Sequence, residues 1–358
     1  MTHKVDESAF ARGLIMVGVR KRGEVIRQFI LDNVEHHPKD VVSLATRTFD
    51  ISRQAVNKHV KRLLEQQALL VRGTTRNRHY LLHPLVKWEH IYSLDGTLAE
   101  DTVWRNDIVA FIGDLSDNVR DIWHYGVTEI INNAIDHSSG RQLLVQVTKT
   151  ATNTEIVVYD DGEGIFKKIQ RELGLLDERH SVLELSKGKL TTDPDNHTGE
   201  GIFFSSRMFD DFAVLSGNIY FSHKHDDVED WILEQQRFQS GTGVFMKIAN
   251  NTARTPKEIF DSFTSGDDYG FTKTVVPVRL AQYDEEKLIS RSQAKRLLAR
   301  VEKFKTVIFD FDEVESIGQA FADEIFRVFK NQHTDMDLIY LKANKEVQQM
   351  IARALTKQ

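Results

Sequence analysis

The sequence predicts a multidomain chain of mixed α/β and α+β class, and three observations predict it. Its 358 residues exceed what one hydrophobic core usually serves, so two or three domains are expected. The hydrophobic period changes along the chain. Short helices and a hairpin fit 20–83, helices mixed with alternating strands fit 100–250, and strand–helix alternation fits 270–358. Charge is uneven too: residues 1–85 carry 15 Lys+Arg against 8 Asp+Glu, and the remainder carries 32 against 45. A basic segment on an acidic body suggests a nucleic-acid module joined to something else.

Composition bounds the chemistry. The 41% apolar content suffices for ordinary cores, and the absence of cysteine excludes disulfides, zinc–thiolate sites and cysteine nucleophiles. The apolar run Leu14–Val19 is too short to cross a membrane, and no other stretch comes near the required length. The expectation is therefore a soluble cytoplasmic protein with no membrane partner. Turn formers at His83–Thr97 and Asn250–Gly270 mark the expected linkers. They divide the chain into expected domains at 1–90, 91–255 and 265–358.

In the first block, Glu24–Asn33 places Val25, Ile26, Phe29 and Ile30 on one helical face. Val41–Phe49 is a second short helix. Asp50-Ile51-Ser52 makes a tight connection in which Ser52 can cap the next helix, Arg53–Gln66. That helix turns Ala55, Val56, Val60, Leu63 and Leu64 inward. Arg53, Gln54, Asn57, Lys58, Lys61 and Arg62 point elsewhere. Gln and Asn can pair with an adenine edge, and Arg and Lys with guanine or phosphate. Leu69–Leu82 reads as a hairpin with a basic tip that includes Arg76 and Arg78. The order resembles a bacterial winged helix-turn-helix regulator. The resemblance implies binding to double-stranded DNA, with the wing cations on phosphate. A winged helix used for protein contact or dimerisation is the alternative.

The second block carries three motifs. In Glu129–His137, Val127, Ile130, Ile131 and Ala134 form an apolar face, while Glu129, Asn133, Asp136 and His137 share one polar stripe. A carboxamide on such a stripe can hold magnesium through its oxygen, with phosphates supplying other ligands, and Glu129 can act as general base on a water. The second motif, Ile156–Ile165, is a strand ending in the acidic, glycine-containing turn Asp160-Asp161-Gly162-Glu163-Gly164. A carboxylate at a strand end can accept the exocyclic amine of adenine, and glycine lets the backbone approach the base. The third, His197–Phe204, sets Gly199 and Gly201 ahead of a helix over Ile202–Phe209, whose first N–H groups can cradle phosphates.

Together these motifs resemble the nucleotide-binding boxes of the GHKL superfamily, which includes gyrase B, histidine kinases and mismatch-repair ATPases. Ser240–Met246, with Thr242, resembles its later Gly-Thr box. The resemblance spans roughly 100–250 and implies a Bergerat-type α/β sandwich binding ATP and Mg2+. Asn133 would be the metal ligand, Glu129 the base, and Asp160 the adenine acceptor. Gly162, Gly164, Ile165, Thr198, Gly199, Gly201 and Thr242 would shape the pocket, and Asp136 and His137 would orient it. Lys167–Thr198 would be a mobile ATP lid, in which Lys187 and Lys189 either reach phosphates or lie in a solvated loop. No phosphoacceptor His precedes the first motif in a helical hairpin: His36 and His37 fall in a loop and His124 within the motif helix. The block looks closest to the anti-sigma-factor serine-kinase branch.

In the third block, strands at Val275–Leu280, Thr306–Phe311 and Leu338–Leu341 alternate with helices at Ser290–Val301, Gln319–Phe329 and Val347–Leu355. This implies a mostly parallel sheet covered by helices. The acidic turn followed by Ser316-Ile317-Gly318 and a helix is similar to STAS-type anti-anti-sigma domains. The resemblance makes Ser316 either a phosphoacceptor or a helix cap, though the family's usual Asp-Ser-Ser/Thr-Gly run is absent.

The expected function is an ATP-binding regulator, a nucleotide-controlled DNA-binding transcriptional regulator, with a protein partner for the STAS-like domain. One alternative is an anti-sigma-like serine/threonine kinase acting on its own STAS-like domain. Another is an ATPase switch in a multi-protein defence or stress system. The residues leave open a homodimer, and leave the enzyme class between GHKL ATPase and kinase.

Overall fold

The computed structural model describes residues 19–74, 77–190, 198–224, 231–234, 240–264, 270–282 and 286–356. The apolar run Leu14–Val19 (save Val19), Arg76, His197 and part of each of the expected lid and second linker lie outside them. The chain resolves into two compact units, residues 1–88 with 147–155, and 89–146 with 156–358.

The first unit is built as three helices and a hairpin: α1 (Val19–Asn33), α2 (Val41–Phe49), α3 (Arg53–Glu65), β1 (Leu69–Arg72) and β2 (His79–Leu82). Asp50, left-handed at φ 49°, ends α2. Ser52 then caps α3 as expected, its Oγ accepting the N–H of Ala55 at 3.2 Å. Ile26, Ile30, Val41, Ala45, Val56, Val60, Leu63 and Leu69 meet in one core. The strands pair antiparallel, Leu69 opposite Leu82 and Arg72 opposite His79. Residues 147–155 belong to this unit: Ala151 packs against its core, and Asn153 Nδ2 donates to Glu35 at 3.2 Å.

The second unit begins within β3 (Val86–Ser93), whose first three residues fall in the first unit, and continues through an interrupted helix α4 (100–112) and the long α5 (Asp117–His137). There follow β4 (Gln142–Lys149) and β5 (Asn153–Asp160), whose residues within 147–155 fall in the first unit, then α6 (Ile165–Leu173), α7 (Glu178–Lys187), α8 (Gly201–Met208), β6 (Asp211–Ser216), β7 (Ile219–Lys224), β8 (Trp231–Glu234), β9 (Thr242–Ala249) and α9 (Pro256–Ser262). The sheet runs β3-β4-β5-β9-β6-β7-β8. β6 lies antiparallel to both β7 and β9. The alternation of β5, with Thr154, Ile156, Val158 and Asp160 buried, puts every second residue on the helix-covered face. The α5 residues Val119, Ile122, Trp123, Val127, Ile130 and Ile131 are buried with them, and Trp123 packs 4.8 Å from Phe209.

Two stretches expected as linkers are structured. β3 fills most of 83–97, and α9 occupies 256–262, started by a capping box between Thr255 and Glu258 with Pro256 at its first position. The expected lid loop is also largely helical, as α6 and α7, with Asp177 capping α7.

The same unit continues into a three-stranded parallel sheet, β10 (Lys273–Pro277), β11 (Thr306–Asp310) and β12 (Asp337–Leu341), in that order. Its helices are α10 (Arg291–Leu298), capped by a Ser290–Gln293 box, α11 (319–332, with a π segment Glu324–Phe329) and α12 (Lys345–Thr356). The parallel sheet covered by helices is thus as expected. The strand expected over 275–280 starts at Lys273 and gives way to a 3-10 turn, Val278–Ala281. Among the described residues no helix is long and apolar enough to cross a membrane.

Candidate functional site

A cleft of about 370 Å³ opens between α5, the end of β5, α6, α7 and α8. Glu129, Asn133 and His137 reach it from successive turns of α5. Asp160 reaches it from the last position of β5. Asn133 and Asp160, on different elements, therefore face one shared space. Gly164, Ile165, Thr198, Gly199, Gly201 and Thr242 also line it. Two candidates do not. Asp136, although on the same helix, is exposed to solvent, and Gly162 stands behind Asp160, donating its N–H to Oδ1 at 2.9 Å.

The acidic turn is braced from several sides. Asp161 Oδ1 accepts the N–H groups of Arg141 and Gln142 at 2.6 and 2.9 Å. Those bonds hold its carboxyl below the usual range. Glu163 pairs with Arg171, and its N–H donates to Ser138 O at 3.0 Å. Thr242 Oγ1 accepts the N–H of Ile165 at 3.0 Å, tying β9 to the start of α6. Asp160 is different. It is 6% exposed, and burial pushes its carboxyl up to about 6 although the N–H groups of Gly162 and Thr242 oppose the shift. A buried acid with so little compensation favours an added hydrogen-bond donor.

At the other end of the cleft α8 starts at Gly201 without a side-chain cap, so its first N–H groups are not met by a capping residue. A Cβ on Gly201 would overlap Glu129 Oε2, which places that carboxylate against the helix start. Gly199 has φ +71° and lies against the backbone of Leu190, whose N–H donates to Gly199 O at 3.1 Å. Only glycine adopts that conformation readily at such close quarters.

Lys168 escapes the motif reading. It lines the cleft from α6, and its Nζ donates to His137 O at 2.9 Å. It sits one turn beyond Gly164, on the same helical side as Ile165 and Ile169, so extending the glycine-turn motif by a helical turn finds it. Lys187 and Lys189, the cations expected in the lid, do not line the cleft. Lys187 is neither in a solvated loop nor aimed at phosphate: it is 1% exposed and bonds to Glu184 Oε1 at 2.7 Å and Ala299 O at 2.8 Å. Lys189 Nζ donates to Lys303 O at 3.2 Å and lies over the rings of Phe271 and Phe304.

In the first unit Arg53, Gln54, Asn57, Lys58, Lys61 and Arg62 are all exposed along α3, with Lys61 3.7 Å from Glu65. Arg78 is exposed at the tip end of the hairpin, just before β2, and Arg76 lies outside the described residues. In the C-terminal part Ser316 is half-buried and does not cap a helix. Gly318 holds the cap position of α11, and Ile317 bridges to Leu288.

Comparison with known families agrees with this geometry. A family model described as a histidine kinase-like ATPase domain matches residues 102–219. A second, described as a STAS-like domain of unknown function (DUF4325), matches 293–348. No curated protein matches the chain. Nucleotide binding is what the first of these families implies. The chain therefore carries a histidine kinase-like ATPase domain, whose matched residues supply the cleft lining apart from Thr242 and Val244, followed by a STAS-like domain.

Proposed function

We propose that the chain is an ATP- and magnesium-dependent switch whose first unit, a winged helix-turn-helix, takes double-stranded DNA. The observation that carries the nucleotide half is the shared cleft of Asn133 and Asp160, closed at one end by Glu129 and the uncapped start of α8. The buried carboxyl of Asp160 fits the amine of adenine, which would favour its ionised form. The N–H groups at the start of α8 fit phosphate oxygens. Among the described residues no three His, Asp or Glu side chains are placed to hold a metal. Magnesium would therefore be held by the Asn133 carboxamide oxygen together with phosphate oxygens, a ligand set the ion accepts. Bound there, it would neutralise charge on the phosphates. Glu129 would orient and deprotonate a water.

The DNA half rests on the exposed polar and basic face of α3 and on a local excess of basic residues. The test is magnesium-ATP binding and turnover by wild type, Glu129→Ala and Asn133→Ala, with DNA affinity measured with and without nucleotide. The Glu129 variant should bind but not turn over. The Asn133 variant should lose the metal-dependent part of binding. DNA affinity that ignores nucleotide would remove the switch. Phosphate found on Ser316 by mass spectrometry would favour the kinase reading instead.

A further inference from the structure

α7 and the three residues after it have two sides. Leu185 and Leu190 line the cleft. Between them, Lys187 and Lys189 are held by the STAS-like part of the chain. Lys187 Nζ donates to Arg296 O at 3.3 Å, in the last turn of α10, and to Ala299 O at 2.8 Å, just past its end. Lys187 O accepts from Thr274 Oγ1 of β10 at 2.6 Å. Lys189 O accepts from Arg300 at 3.0 Å and from Lys303 Nζ at 3.3 Å. Arg300 Nε also lies 3.5 Å from Glu184 Oε2. The held residues adjoin the cleft wall: Leu190, next to Lys189, lines the cleft and donates its N–H to Gly199 O, two residues before α8 begins.

The chemistry of this contact matters as much as its position. Lys187 and Glu184 are 2% and 5% exposed in their side chains. A buried ion pair is seldom the most stable way to fill such a space, and apolar side chains of similar volume often do as well or better. Its advantage appears when the contact opens. The two lie one turn apart on α7, so when the contact with the STAS-like part opens they pass into water together, still paired, whereas an apolar pair would be left exposed. A buried ion pair is thus suited to an interface that forms and releases.

We propose that the STAS-like domain clamps the nucleotide site in cis, holding α7 and Leu190 where they complete the cleft wall, so that nucleotide occupancy and docking of residues 296–303 control each other. This rests on the cleft being a nucleotide site. Linkage makes the effect reciprocal: whatever releases the clamp weakens nucleotide binding, and bound nucleotide tightens the clamp by the same factor.

The experiment measures binding of a fluorescent ATP analogue with magnesium to the full-length chain. Wild type is compared with Arg300→Ala, which removes a partly exposed arm of the clamp, and with the double variant Glu184→Gln/Lys187→Met, which removes its charges together. In parallel, hydrogen exchange over 296–303 is followed in wild type with and without saturating nucleotide, and in Arg300→Ala. Both variants should bind about tenfold or more weakly, and exchange in wild type should slow over 296–303 when nucleotide is added. Unchanged affinity in Arg300→Ala, alongside faster exchange over 296–303, overturns the clamp while leaving the nucleotide site standing. So does wild-type exchange at 296–303 that ignores nucleotide. Wild type that binds no nucleotide overturns both readings. Should the double variant fail to fold, Arg300→Ala and wild-type exchange decide the matter between them.

Discussion

Asp160→Asn separates the stability of the empty protein from its affinity for nucleotide, and the two should move in opposite directions. The carboxyl is buried and raised to about 6, against 3.8 in an unfolded chain, with desolvation as the main cause. The folded state therefore holds the proton more tightly than the unfolded state does. Stability from this group is fully present below the unfolded value and is lost as pH rises through the folded one. A gap of roughly two pH units corresponds to about 3 kcal/mol. An amide has no such titration. Urea unfolding of the nucleotide-free proteins should show the variant gaining on wild type by about 3 kcal/mol between roughly pH 4 and pH 7.5. Nucleotide binding should change the other way. Hydrogen bonds to an ionised acceptor are about twice as strong as neutral ones, so the variant should bind ATP on the order of tenfold more weakly near neutral pH. A stability difference that does not change with pH would refute the burial argument. Equal affinity would refute contact between Asp160 and the base.

Two further perturbations probe other parts of the molecule. Gly201→Ala adds a methyl where Glu129 Oε2 now lies, so the carboxylate must shift while the helix itself is favoured. Steady-state kinetics should show turnover falling on the order of a hundredfold with little change in KM, and wild-type turnover would refute the placement of Glu129. In the first unit, Lys58→Ala should reduce the slope of log affinity against log salt for DNA by about one. Gln54→Ala should instead change sequence preference at one position. Fluorescence anisotropy across a salt series measures both, and an unchanged slope for Lys58→Ala would take that residue off the phosphate backbone.

How much of this was legible in the sequence follows from how local the physics is. The elements that meet at the cleft could be read because each is one short device: a stripe on a helix, an acid at a strand end, glycines ahead of a helix. Ser52 could be read as a cap for the same reason, since its bond to Ala55 spans three residues. The stretches mistaken for linkers show the opposite case. β3 is an edge strand whose side chains are mostly exposed, so the alternation that marks a half-buried strand is weak. α9 has only seven residues and begins with a proline, which looks like a breaker until Thr255 and Glu258 are recognised as its capping box.

The helices within the expected lid loop were hidden for a deeper reason. Glu178–Lys187 contains Glu, Arg, His, Ser and Lys among few apolar residues, a composition that suits a solvated loop. In the fold its residues from His180 to Lys187 are all buried. Besides Glu184, the groups that satisfy Lys187 come from Arg296 and Ala299, more than a hundred positions later. Polarity in a sequence predicts exposure only when the partners are water or near neighbours. Where a distant domain supplies carbonyls and a guanidinium, the same side chains become interior. The misread segment is therefore informative about the architecture. A polar stretch beside a ligand cleft, buried by another domain of the same chain, is a stretch that water would satisfy if the contact opened, and the clamp proposed above turns that into an expectation: the charges of Glu184 and Lys187 let the two domains part without exposing an apolar face.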